Sequence, residues 1–212
     1  MHDITIRASS AARSLSAPLL RSLLFAVLLA ASAAAGAIPV PGTPVPVTMQ
    51  TFVLMLAGLL LPAGEAASAT VLYLAAGAFG LPVFAGGGST ASLVGPSAGF
   101  LLGFLPAVVV TAAIAGGPGR ETLRPDGSGI IRIALRSLRR LLACVAGCIV
   151  VDYALGVAVQ SILTGIAPPL VAASSAVFVP GDLVKAVVAT LVATGALPLL
   201  HGRGPGAAAM TR

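Results

Sequence analysis

Charge is what this sequence has least of. Only 8% of its 212 residues are Asp, Glu, Lys or Arg, against about 25% in a soluble domain. With 58% hydrophobic residues and a mean hydropathy of +1.06, no stretch is left to clothe a separate soluble domain, and the chain reads as a polytopic membrane protein. Lysine occurs once, at Lys185, and every other basic residue is arginine. The formal net charge of +6 does not point to nucleic acid, because the arginines cluster between apolar runs without interleaved aromatics.

The other scarcities exclude chemistry. The two cysteines, Cys144 and Cys148, stand at i and i+4, where Cβ atoms are ~5–6 Å apart rather than the ~3.8 Å of a disulfide. The two histidines, His2 and His201, lie at opposite ends of the chain, so neither a metal site nor a cofactor is expected. Gly86-Gly87-Gly88-Ser89-Thr90 is glycine-rich, but no Gly-Lys-Ser/Thr follows it and no strand precedes it, which argues against a nucleotide loop. Any ATP-driven step therefore falls to partners. Gly95-Pro96-Ser97-Ala98-Gly99 fits the pattern of a serine-hydrolase elbow, yet lacks the preceding strand and a base within reach. The chain is not read as an enzyme.

What is there is a series of apolar runs. Six are delimited, at about 15–38, 49–62, 65–80, 97–115, 141–163 and 179–200, which predicts an all-α membrane protein of six transmembrane helices. The first includes Ala31-Ser32-Ala33, similar to a signal cleavage site, but it exceeds the apolar length of a signal peptide and is expected to be retained. On it Ala26, Ala30 and Ala34 recur every fourth residue as a smooth stripe for a close helix neighbour. Alternating prolines at 39, 41, 44 and 46 forbid a helix and predict an extended loop, tolerated at that depth only when buried or lining a cavity. The second run is short for a span, and a short helix after a buried loop is one way to build a mid-membrane pocket. Residues 81–96 read as a mobile lid. Gly95, Gly99 and Gly103 mark a close-packing face, and Asp152, Tyr153 and Gln160 are expected to face the bundle interior.

The arginines orient the runs. Three stand in or beside the segment 1–14, six in the polar segment 116–140 and two in the tail 201–212, whereas the loops between runs 1 and 2, 3 and 4, and 5 and 6 hold none. That split obeys the positive-inside rule for six spans with both termini cytoplasmic. It puts the proline loop, the glycine loop and the start of the last run together at the outer face.

The start of that last run, Val179-Pro180-Gly181-Asp182-Leu183-Val184-Lys185, carries the only charges between 179 and 200. An Asp or Lys at mid-membrane costs roughly 2.5–3.5 kcal/mol on insertion scales. At i and i+3 the two share one helix face, so they form either a ligand site or an ion pair that only holds the helix.

Four motifs resemble the BioY family, in order and at family-like spacing. They are Val45-Pro46-Val47-Thr48-Met49-Gln50-Thr51-Phe52, Gly80-Leu81-Pro82-Val83-Phe84, Gly95-Pro96-Ser97-Ala98-Gly99-Phe100 with Gly103-Phe104, and Val179 to Lys185 as above. Where the family pattern would have Thr-Gly-Gly-Tyr, this chain has Ser97-Ala98-Gly99-Phe100. The resemblance implies a biotin-binding S component of an energy-coupling factor transporter: a multi-pass inner-membrane subunit that works with a transmembrane coupling protein and two cytoplasmic ATPases. It further implies Asp182 and Lys185 as ligand-binding residues, with Gln50, Thr48, Phe84, Gly86 and Tyr153 beside them, and Phe52 and Val179 among the apolar walls. The alanine stripe of the first helix would face the coupling protein. Biotin's ureido ring presents one carbonyl between two N–H groups, which a carboxylate and an ammonium can satisfy. The alternatives are an S component for another vitamin and a solitary facilitator of a small solute.

Overall fold

A computed structural model describes residues 2–117 and 129–195. The tail 201–212, the end of the expected last run (196–200), and Arg120 and Arg124 lie outside the described residues. Those described form an all-helical bundle with no β-strand, only isolated bridges. Its helices are α1 (His2–Ala34), α2 (Gln50–Leu60), α3 (Ala63–Ala78), α4 (Ala98–Ala115), α5 (Gly129–Cys144), α6 (Asp152–Thr164), α7 (Pro168–Ser175) and α8 (Val179–Thr194). A π-helical segment, Val145–Val151, joins α5 to α6, and a 3-10 turn, Ala176–Phe178, joins α7 to α8. Apart from two short 3-10 turns at 85–87 and 90–93, the described residues thus run as six continuous helical stretches. Among the described residues, four of them are long and apolar enough to cross a membrane, at 17–34, 98–115, 130–164 and 168–194. By contrast α2, with 11 residues, is only about 17 Å long, roughly half the hydrocarbon thickness.

Several boundaries differ from the sequence reading, each for a local reason. The first helix ends at Ala34 rather than 38, because Gly36 takes a φ of +139° and the proline loop follows. The segment 116–140 is not a polar loop throughout: from Gly129 it is helix. Arg132, Arg136, Arg139 and Arg140 fall on one side of that helix at i, i+4, i+7 and i+8, and Ile131, Leu135, Leu138 and Leu142 fall on another. That is the spacing of an amphipathic helix, and arginine is a good helix former. The expected loop 164–177 likewise contains α7, which opens with proline at its first positions, where a missing N–H costs nothing.

Apolar on every side, α4 is the central helix. It packs against α2, α3, α5, the π segment and α6. Glycines set the closest approaches. A Cβ at Gly99 would lie 2.7 Å from the Leu155 carbonyl, and one at Gly103 would collide with Asp152. The glycine pattern of the fourth run therefore packs inside this chain, against α6. From the other side Gly147 of the π segment meets Thr111 and the Ala107 carbonyl.

The alanine stripe on α1 does not hold together as one outward face. Ala26 is 7% exposed and belongs to the core, Ala30 is half-buried and Ala34 is exposed. A repeat of four drifts by 40° per step on a helix of 3.6 residues per turn, so the inward face runs through Ser22, Ala26, Leu29 and Ala33 instead.

Candidate ligand-binding site

The proline loop folds back on itself. Ile38 and Val47 exchange both backbone hydrogen bonds at 2.9 Å, and Val45 N–H reaches Thr43 Oγ1 at 3.2 Å. Its polar backbone is thereby partly satisfied without a helix, while Val45 alone of residues 36–47 is buried and the rest of the loop is exposed or half-buried. Val45 is buried with Phe100 of α4 and Phe178 of the last 3-10 turn. The glycine loop closes from the other side. Phe84 is buried edge-to-face on Tyr73, with ring centroids 5.2 Å apart, and Thr90 Oγ1 donates to the Ala78 carbonyl at 3.0 Å. At these points the loop is tethered to the bundle and covers it.

Beneath both loops lies a cavity of about 300 Å³, at the lower end of the range for small-molecule sites. Phe84, Phe100, Phe104 and Phe178 give it apolar walls, and Thr48, Gln50, Asp152, Tyr153, Asp182 and Lys185 supply polar groups. The N-termini of α2 and α4 begin at this cavity, and their partial positive charges favour polar or anionic groups there.

The polar groups form one network. Asp182 is 4% exposed. Its Oδ1 accepts from Lys185 Nζ at 2.9 Å and Thr51 Oγ1 at 2.8 Å, and its Oδ2 accepts from the Tyr153 hydroxyl at 2.6 Å. Lys185 Nζ also donates to the Thr48 carbonyl at 2.7 Å and to Thr51 Oγ1 at 3.0 Å. All three ammonium donors are used. Gln50 is fixed from both ends: its Oε1 accepts from Thr48 Oγ1 at 3.0 Å, and its Nε2 donates to the Tyr73 hydroxyl.

Of the residues expected at a site, the fold brings Asp182, Lys185, Gln50, Thr48, Phe84 and Tyr153 to this cavity. Gly86 is not there. It is exposed at the outer turn of its loop with φ +67°, and its neighbour Ala85 lines the wall instead. Phe52 packs into the main core and Val179 is absent from the lining, where Phe178 takes its place. Sequence reasoning misses Thr51 as a site residue. Its hydroxyl bridges the acid and the base, but a lone threonine next to Gln50 has no pattern of its own to betray that. Asp152 was legible as inward-facing, not as part of the site.

A family model described as BioY matches residues 6–202. The chain belongs to the BioY family. A protein named biotin transporter BioY from Rhizobium etli is 35% identical over 190 residues, covering 87% of this chain and 97% of that one. Another of the same name from Rhodobacter capsulatus is 40% identical over 180 residues, covering 80% and 87%. In structure, the S-component for biotin from an ECF-type ABC transporter superimposes with a TM-score of 0.71 over 91% of this chain and 94% of that one. At 22% identity that likeness bears on the fold alone. This is a multi-pass membrane protein of a transport family rather than an enzyme family.

Proposed function

We propose that this protein is the biotin-binding and translocating subunit, the S component, of a vitamin importer in the inner membrane. It captures biotin at the outer face, in the cavity under the two loops, and works with a transmembrane coupling protein and two cytoplasmic ATPases. The observation that carries this reading is the pair of buried Asp182 and half-buried Lys185, 2.9 Å apart, set in the wall of a cavity sized for a small ring compound. The names of the relatives from Rhizobium etli and Rhodobacter capsulatus supply the ligand.

The chemistry follows from the network. Biotin's ureido oxygen is an acceptor, so it competes with Thr48 or Thr51 for a Lys185 donor, while a ureido N–H takes free acceptor capacity on Asp182. The apolar remainder of the ligand lies against the phenylalanine walls. The arginine distribution supports the orientation. Arg139 and Arg140 bond the C-terminal ends of α4 and α8, whereas the cavity lies at the N-terminal ends of the same helices. The exposed Ala34 and the half-buried Ala30 are the part of the α1 stripe left to face the coupling protein. Calorimetry of the purified chain with biotin tests the reading. Saturable binding with a raised melting temperature is expected, and a flat titration with a well-folded sample would sink it.

A further inference from the structure

Among the described residues, five buried side-chain oxygens have no hydrogen-bond partner, on Glu65, Asp152, Gln160, Ser175 and Thr190. Only Asp152 of these lines the cavity. It is 1% exposed, and a buried carboxyl oxygen left unpaired is costly enough that native structures rarely keep one without a use. The fold also makes room for it. Asp152 follows immediately on the π segment, a feature frequent at functional sites. Across from it α4 has Gly103, where any Cβ would collide with Asp152 Oδ1. The next residue, Tyr153, touches Asp182, so α6 and α8 each bring a carboxyl group to one cavity.

Counting acceptors shows what the second carboxyl is for, given the biotin reading above on which this step rests. A carboxylate has about four acceptor positions, and Asp182 already fills three with Lys185, Thr51 and Tyr153. One position remains. A cyclic urea presents two N–H groups flanking its carbonyl, so Asp182 can take one and the other needs a different acceptor. We propose that Asp152 is a second ligand-reading carboxyl, accepting the ureido N–H that Asp182 cannot. Asp152, Lys185 and Asp182, which line the same cavity, then supply acceptor, donor and acceptor to the ring's donor, acceptor and donor. That pattern makes the site selective for a cyclic urea over rings with a single N–H.

The test is calorimetry on the full chain with biotin and two cyclic carbamate analogues, in which one or the other ring N–H is replaced by oxygen. Wild type is expected to bind biotin and to bind both carbamates about tenfold or more weakly, because each sets an ether-type oxygen against a carboxylate. Asp152→Asn is expected to weaken biotin by a similar factor and to restore one carbamate, since the new amide donates to the ring oxygen. Biotin binding within twofold of wild type by Asp152→Leu, which has no acceptor at all, overturns the proposal and leaves the biotin reading standing. Should that variant fail to fold, the wild type still decides. A carbamate isomer bound as tightly as biotin means that one N–H has no carboxylate reader, which overturns the proposal. No binding of biotin by folded wild type overturns both readings.

Discussion

The two ends of the bundle use charge in different ways. At the arginine end, Arg139 Nη2 donates to the Ala115 carbonyl at 2.6 Å, and Arg140 Nη1 to the Ala193 carbonyl at 2.8 Å and Thr194 Oγ1 at 3.2 Å. These cations sit on the last carbonyls of α4 and α8, which have no partner inside the helix and carry the negative end of its dipole. Arg21 pairs with Glu65 at 2.8 Å, and none of these residues lines the cavity. At the other end, Asp182 and Lys185 are just as fully bonded, yet they form part of a cavity wall that also holds Asp152, whose Oδ1 has no hydrogen-bond partner. If Asp182 and Lys185 bind the ligand as proposed, being paired does not separate a structural charge from a binding one. What separates them is whether the pair faces a cavity with polar capacity to spare.

The largest expected effect breaks the cavity end alone. Asp182→Asn and Lys185→Met each leave a partner of a buried pair alone, at a cost of ~3–5 kcal/mol, and biotin affinity is expected to fall by more than a hundredfold. The double variant removes both charges, so it is expected to regain thermal stability without regaining binding. Restored biotin binding by the double variant would place this pair with the arginines, as a device that holds a helix.

A smaller effect sharpens the same contrast inside the cavity. Tyr153→Phe deletes one hydroxyl that donates to Asp182 Oδ2 at 2.6 Å and leaves the ring to pack edge-to-face on Phe100. A hydrogen bond to a charged group contributes about 1.5–3 kcal/mol. Biotin affinity is expected to fall about tenfold, because Asp182 loses the partner that fixes its second oxygen. A lower melting temperature with unaltered affinity would make this hydroxyl structural.

Much of the fold and part of the site could be read from the sequence, and the particular residues show why. The acid–base pair was legible because two charges three apart in an apolar run have few explanations. Spacing placed Gly99 and Gly103 on one face, although only the fold shows that the face meets α6. The π segment was not legible: Val145–Val151 is an uninterrupted apolar run, and side-chain pattern over seven such residues does not tell i→i+5 bonding from i→i+4. The stripe of Ala26, Ala30 and Ala34 misled for a geometric reason, since a spacing of four slides around the helix until Ala26 is inside and Ala34 outside. Gly86 stands outside the cavity lining, because a glycine-rich loop over a cavity need not turn its glycine inward. Thr51 and Phe178 depend on contacts across more than 100 and 70 residues, which no local pattern carries.

The smallest effect belongs to the arginine end. Arg140→Ala removes donors to the Ala193 carbonyl and to Thr194 Oγ1, so the end of α8 loses its side-chain cap. The guanidinium is partly solvated, and such a contact contributes about 1 kcal/mol, which is read as a melting temperature lowered by a few degrees in detergent. Arg140→Lys is expected to fall between, because an ammonium keeps a cation and donors near the helix end but sits on a different stem from the guanidinium nitrogen that reaches both oxygens. Biotin affinity is expected to stay within twofold in both, since the altered helix end lies at the far end of α8 from Asp182. A loss of affinity with an unchanged melting temperature would instead couple the two ends, and the cap on α8 would then set the position of Lys185 as well as the stability of the helix.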